Sequence, residues 1–324
     1  MAASFSLEER IDYLRAFGGA SLGYSTLQPG LRYFDIPQIG YLAYESYSGC
    51  DFVLSSPICA DHHLETLLGE FIRTHDQPCF VQIYQREAEL LRDLFHHYVV
   101  QMGMEFWLDG QIWTTQGGKK THIRRWLNTA RNADVTVNPI DAEERRDDVQ
   151  RVSDQWRKSR RNDGNLRFLV RNFSTDKQVA SLARPYGAFQ NGELIGVVDF
   201  APMFKGHCAT GYYADLVRMI PDAPNGTSDL IIATALQDFI REGAHTLSLG
   251  LAPFAKLSRC ANEPPFIHKL LSFLYVAGNQ LYHFKGNYFH KEKYRAEEIP
   301  VFYTTANRNA MMQILKIFKL IGVF

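Results

Sequence analysis

The sequence predicts an α/β protein in which mixed sheets are flanked by helices, and three observations predict it. Amphipathic stretches at helical spacing alternate with short apolar, β-prone runs along the whole chain. The order helix, hairpin, longer strand, loop, helix, strand runs through each half, as two copies of one unit with the first more degenerate. At 324 residues and 46% hydrophobic content, the chain can bury one large core or two of ordinary size. Two units are therefore expected, 1–139 and 140–324, with Asn138 and Pro139 as punctuation between them.

The elements follow in order. Residues 6–17 form a helix, with Ser6 as N-cap, Glu9 three residues on, and Leu7, Ile11, Leu14 and Phe17 as its apolar stripe. Two β-like runs flank Ser48-Gly49, a hairpin turn that needs positive φ. A helix covers 62–73, a buried strand 79–84 and a second helix 86–100, ahead of aromatic strands around 106–113. Residues 117–133 are basic and helical after a Gly pair. The charged helix at 141–161 buries Val149, Val152 and Trp156. Strands on either side of Asn191-Gly192 follow, then the stretch that organises the chain, a strand at 245–253, a helix at 266–277, a basic aromatic segment at 282–295, a short strand near 301–303 and a last helix.

The organising stretch, YYADLVRMIPDAPNGTSDLIIATALQDFI (212–240), reads as strand, tight loop and helix. Thr227, Ser228 and Asp229 are candidate N-caps, and Gly243 is a stop. The free N–H groups and positive dipole end of such a helix suit an anionic ligand beside Asn225 and Gly226. Asp215 and Arg218 are charges in an apolar run, costly to bury unpaired. Three apart on a regular strand they face opposite sides, so they share one site only if the strand bulges or ends. A structural ion pair is the alternative reading.

Charge and cysteine content exclude several classes. With 35 basic and 35 acidic residues, no global field draws the chain to nucleic acid or membrane, and such partners need a local patch. Lys119, Lys120, Arg124 and Arg125 form one such patch, or simply a solvated helix face. Five cysteines without C-x-x-C spacing argue against a disulfide scaffold or zinc ribbon and fit a reducing cytosol. His62-His63 and His96-His97 lack ligand spacing, so no metal is expected. The first residues are not signal-like and no apolar run approaches a membrane span, so a soluble or peripheral protein is expected.

The string D-L-x-R followed by P-D-A-P-N-G-T-x-D closely resembles the signature of the phosphatidylglycerol lysyltransferase C-terminal domain family, the catalytic domains of lysyl- and alanyl-phosphatidylglycerol synthases. The segment 117–133 is similar to the family's G-K-x-x-x-x-L-R-x-x-L-N-R-A, with Ile123 and Thr129 as departures. Phe284, Lys285, Gly286, Lys291, Lys293 and Tyr294 fit its F-[KQ]-G-L-x-x-[FY]-K-x-K-[FY], while Asn287, Tyr288 and His290 depart from it. The family's W-x-P-R-Y reads here as Glu298-Ile299-Pro300-Val301-Phe302, without the Trp and the Arg.

The resemblance implies a fold of two tandem Gcn5-related N-acetyltransferase-like domains, the first degenerate and the second catalytic. It implies an aminoacyl transferase that takes its group from charged tRNA and esterifies a phosphatidylglycerol-like lipid or another hydroxyl acceptor, without a cofactor. Asp215 would hold a substrate amine or hydroxyl and Arg218 a phosphate or carbonyl oxygen. Asn225, Gly226, Asp229, Lys285, Lys291 and Lys293 would bind substrate. Lys119, Lys120, Arg124 and Arg125, with basic residues in 157–171 and 285–295, would grip the tRNA phosphates. The final run, MMQILKIFKLIGVF, is either a docked core helix or a peripheral contact at the inner face of a membrane. Two other readings stay open: an acyl-CoA- or acyl-carrier-dependent N-acyltransferase, and an inactive binding protein of the same fold. The first predicts a phosphate-sized site near Gly226 and a pantetheine-width channel between strands.

Overall fold

Ser6 opens the first helix, α1 (Leu7–Phe17), with a reciprocal capping box: its hydroxyl accepts the Glu9 amide at 3.1 Å and the Glu9 carboxylate accepts the Ser6 amide at 2.7 Å. The computed structural model describes residues 4–159, 168–169, 171–264, 266–277, 284–307 and 310–320. The first half continues with strands β1 (Arg32–Ile36), β2 (Gly40–Tyr47), β3 (Cys50–Leu54) and the short β4 (Ile58–Cys59). Then come α2 (Leu64–Thr74), β5 (Pro78–Ile83), α3 (Gln85–Phe95), β6 (Tyr98–Asp109), α4 (Thr121–Asn132) and β7 (Thr136–Pro139). The second half holds α5 (Arg146–Lys158), α6 (Lys177–Ala180), β8 (Arg184–Gln190), β9 (Glu193–Lys205), β10 (Cys208–Met219), α7 (Thr227–Arg241) and β11 (Thr246–Pro253). It ends with α8 (Ile267–Ala277), α9 (Phe284–Glu292), β12 (Glu297–Thr305) and α10 (Ala310–Leu320).

One mixed sheet runs through the molecule in the order β1-β2-β3-β5-β12-β6-β11-β10-β9-β8-β7, with β4 attached to β2. Its two ends repeat one pattern. In the first, β1, β2 and β3 are antiparallel and β3 runs parallel to β5, with α2 as the crossover. In the second, β8, β9 and β10 are antiparallel and β10 runs parallel to β11, with α7 as the crossover. Each repeat is then completed by a strand of the other: β12 pairs with β5, and β6 pairs with β11. The mixed α/β class expected from the sequence is the class observed.

Three local expectations need correction. The helix expected over 86–100 ends at Phe95, because His96 turns left-handed (φ 57) and the β-branched Val99 and Val100 enter β6. The strand expected near 301–303 spans nine residues and sits inside the sheet. Gly226, not Thr227, Ser228 or Asp229, is the N-cap of α7, in a left-handed conformation that only glycine adopts freely.

Helices cover both faces of the sheet. Leu127 of α4 and Ile231, Leu236 and Phe239 of α7 pack on β8–β11, and α5 packs Val149 and Val152 against Leu194 and Val197 of β9 on the opposite side. In the first half, α2 and α3 share one core with Phe80 and Val99. Residues of α8, α9 and α10 cover Phe52 and Val81 in another. Among the described residues no helix is long and apolar enough to cross a membrane.

Candidate active site

The strand carrying Asp215 and Arg218 bulges where it must for both to share a face. Ala214 of β10 lies opposite Phe200 of β9 and Leu216 opposite Asp199, so Asp215 is the extra residue of a β-bulge. Beyond it the regular register places Arg218 opposite Val197, on the side of the sheet that α5 covers. Asp215 meets Arg171 there, and Arg218 meets Asn172, the next residue.

Arg171 is the centre of this cluster. Its Nη2 donates to Asp199 Oδ2 at 2.6 Å, and its Nε lies 2.6 Å from Asp215 Oδ2 as an ion pair without hydrogen-bond alignment. The guanidinium stacks 4.5 Å over the Tyr24 ring. The Arg171, Asp199 and Asp215 side chains are all buried. Burial pushes the Asp215 carboxyl up to about 6; Arg171 opposes the shift and Asp199 adds to it. Arg218 is 7% exposed and bonds neutral partners, Ser153 Oγ at 2.8 Å and Asn172 Oδ1 at 3.4 Å, between the rings of Trp156 and Phe173. No carboxylate lies within ion-pair distance of it among the described residues. Burial, then the Arg157 and Arg171 charges, lower its pKa to about 10.

A second cluster closes the start of α7. Gly226 abuts α4 so closely that a Cβ there would lie 2.1 Å from the Trp126 carbonyl oxygen. Asp229, buried in the first turn, accepts from Lys293 Nζ at 2.8 Å and from the Tyr294 hydroxyl. Lys293 Nζ also lies 3.0 Å from His290 Nδ1. Trp113 Nε1 and Lys120 Nζ converge on the Tyr294 carbonyl at 2.8 and 2.5 Å.

Strands β10 and β11 pair only between 211–213 and 246–248. Beyond that, α9 packs on β11 and Lys291 Nζ donates to the Leu251 carbonyl at 2.6 Å. Burial lowers the Lys291 ammonium to about 7, against the Glu105 charge, and lowers His290 to about 4. The buried Glu105 carboxylate accepts from Tyr84 OH at 2.8 Å and Ser248 Oγ at 2.6 Å.

The other expected site residues scatter. Asn225 is exposed at the loop tip, Lys285 is half-buried, and Lys119, in the turn before α4, and Arg125 on α4 are exposed. Lys120 is pinned to Tyr294, and Arg124 Nη1 to the carbonyls of Thr115 and Gly117 at 2.8 and 2.6 Å. Of the basic run 157–171, residues 160–167 and 170 lie outside the described residues, and its last member, Arg171, is buried. Tyr288, a departure from the family pattern, packs edge-on against Phe106. Two adjoining clefts of about 290 and 220 Å3 share Tyr84, Arg86 and Trp107, and neither is lined by Asp215 or Asp229.

Sequence reasoning missed Arg171, Asp199 and Glu105. Each acid stands in an apolar strand run, GVVDFAPM or MEFWL, and an acid buried there needs a cation or donors. That signal was available for Asp199 and Asp215, and it calls for an arginine.

Residues 12–305 match the family model of the phosphatidylglycerol lysyltransferase C-terminal region. The chain belongs to this family. The phosphatidylglycerol lysyltransferase of Bacillus subtilis (strain 168) is 25% identical over 254 residues, which are 76% of this chain and 28% of that protein. That of Staphylococcus epidermidis is 22% identical over 298 residues, 89% of this chain and 34% of the relative. The chain thus spans about a third of the length of these curated relatives. Among solved structures, the C-terminal domain of a candidate lysylphosphatidylglycerol synthetase from Agrobacterium fabrum superposes with a TM-score of 0.80 at 18% identity, covering 97% of this chain and 96% of that one. L-PGS from Bacillus licheniformis gives 0.79 at 21% identity, covering 98% and 97%. At these identities the two superpositions speak for the fold.

Proposed function

We propose that the chain transfers an aminoacyl group from charged tRNA to the hydroxyl of a phosphatidylglycerol-like lipid. Membership of the family supports the reaction class. The observation that carries the assignment of the site is Arg218, a buried cation whose bonding partners among the described residues are neutral, beside the Asp215 carboxylate. A buried cation with no carboxylate at ion-pair distance among the described residues favours an anionic ligand, and a phosphodiester supplies one. The Asp215 carboxylate is assigned to the amine of the donor or the hydroxyl of the acceptor. Arg171, held by Asp199 and Tyr24, keeps that carboxylate in place.

Transfer from an ester to a hydroxyl needs a base for the hydroxyl proton and donors for the oxyanion. Lys291, whose Nζ lies against the Leu251 carbonyl beyond the point where β10 and β11 stop pairing and whose pKa is lowered to about 7, is assigned as that base, taking the acceptor hydroxyl proton and returning it to the departing ribose oxygen of the tRNA. Most of the acceleration then comes from holding ester and hydroxyl together. The exposed Lys119, just before α4, and Arg125 on α4 supply phosphate contacts for the tRNA.

The acyl-CoA alternative is less well supported. It calls for an open helix N-terminus at Gly226 and a channel between splayed strands. Here the first is packed against Trp126 and occupied by the Asp229–Lys293–Tyr294 cluster, and α9 lies against β11.

The test is incubation of the purified protein with radiolabelled aminoacyl-tRNAs and total lipid extract, alongside Asp215→Ala. Label passing into an organic-extractable product, and absent with the variant, is the expected result. Release of label no faster than in buffer, with no transfer to any acceptor, would reject the reading.

A further inference from the structure

The three C-terminal helices form a layer with an apolar outer surface. Ile267 and Leu271 of α8, Phe284 of α9, and Ile314 and Phe318 of α10 share one core cluster over the first half of the sheet. A helix that has buried one face is normally polar on the other. Helix α8 is not: Phe266, just before it, Phe273 and Val276 are 75%, 64% and 62% exposed, and with Lys269 they follow one another at spacings of three, four and three, a single outward stripe. Phe289 of α9, which packs beside α8, is 60% exposed. Of the twelve large hydrophobic residues exposed among the described residues, seven lie between 266 and 315 on or beside these helices. Exposed apolar surface concentrated in this way marks an interaction site.

The charges identify the partner. Across α8, α9 and α10 stand Lys269, Lys285, Lys316 and Lys319, besides the inward-held Lys291, against the single acid Glu292, in a chain whose formal charge is zero. Exposed aromatics interleaved with lysines and nearly free of acids match the interface of an anionic bilayer, where rings enter the acyl boundary and ammonium groups meet headgroup phosphates.

We propose that the outer face of α8 and α9, flanked by α10, docks this protein on anionic membrane. The docking deepens the transferase reading: α9 also carries Lys291, so docking through it holds the lipid acceptor's surface beside the assigned base. Its purpose rests on that reading, but the docking itself does not.

The test is cosedimentation of the full chain with vesicles of mixed phosphatidylglycerol and phosphatidylcholine, and of phosphatidylcholine alone. The wild type is expected to bind the mixed vesicles, more weakly at high salt, and to bind the zwitterionic ones poorly. Phe266→Ser/Phe273→Ser weakens binding about tenfold or more, while Ile112→Ser, at the most exposed apolar position, binds like wild type. Because the serines replace exposed rings, the double variant keeps the wild-type melting temperature. Phe273→Trp fluorescence shifts to the blue on adding the mixed vesicles. Equal binding by wild type and double variant, or no binding by wild type, would overturn the proposal. So would a wild-type dimer that the double variant makes monomeric in analytical ultracentrifugation without vesicle binding, since a second copy would then cover the face. The two readings fail separately. Vesicle binding without aminoacyl transfer rejects the transferase alone, and transfer to a short-chain, monomeric phosphatidylglycerol without vesicle binding rejects the docking alone.

Discussion

The cluster on β10 and the cluster at the start of α7 both gather buried charges, and they differ in how the charges are matched. At α7, Asp229 meets a lysine and a tyrosine hydroxyl, and the carbonyl of that tyrosine is itself held by Trp113 and Lys120. Those groups are directed at one another. At β10, Arg171 is matched by two carboxylates, but Arg218 has only neutral bonding partners among the described residues. A saturated cluster contributes to folding, and an unsaturated one retains capacity for a ligand. Both derive from family motif residues, so the motif mixes residues that hold the fold with residues assigned to substrate.

Substitutions separate the two roles. Lys293→Met leaves Asp229 buried with its charge uncompensated, and is expected to cost about 3–5 kcal/mol of stability in urea unfolding. A loss under about 1 kcal/mol would place Lys293 on the substrate side. Arg218→Met removes a buried cation that has no carboxylate partner among the described residues, so stability should stay level or rise. Aminoacyl transfer should still fall by about a hundredfold or more. Parallel loss of stability and activity would erase the distinction.

Gly226→Ala combines a close contact with the Trp126 carbonyl and a positive φ, and should lower stability by about 1–3 kcal/mol with transfer per folded molecule nearly unchanged.

Lys291 sharpens the comparison through pH. Its folded pKa of about 7 lies below the ordinary 10.5, so between these values the unfolded chain binds more protons and stability rises with pH. Lys291→Met should flatten that rise. If Lys291 is the base, wild-type transfer also climbs as pH passes through about 7. The smallest effect is expected for Lys119→Ala/Arg125→Ala: roughly a few-fold weaker tRNA binding with a shallower salt dependence, measured by filter binding, and no change in melting temperature.

Much of this was legible in the sequence, within limits set by what local pattern encodes. The hairpin turns at Ser48-Gly49 and Asn191-Gly192, the α1 capping box and the strand–loop–helix of 212–240 are local, and each appears where expected. The exchange of β6 and β12 between the repeats was not legible, because nothing within nine residues of β12 says which strands it will enter between. The bulge at Asp215 was legible only as a condition for Asp215 and Arg218 to share a face. Arg171 was hidden for a different reason. A basic run reads as solvated, and only the acids of β9 and β10, distant in sequence, reveal that one of its members is buried.

The central claim is that Arg218 serves substrate while Lys293 serves the fold. The most direct measurement is transfer of radiolabel from aminoacyl-tRNA to phosphatidylglycerol by wild type, Arg218→Met and Lys293→Met, each normalised to its folded fraction from urea unfolding. Transfer is expected from wild type and, per folded molecule, from Lys293→Met, with almost none from a fully folded Arg218→Met. Wild-type rates from Arg218→Met, or a Lys293→Met protein that is stable but inactive, would contradict it.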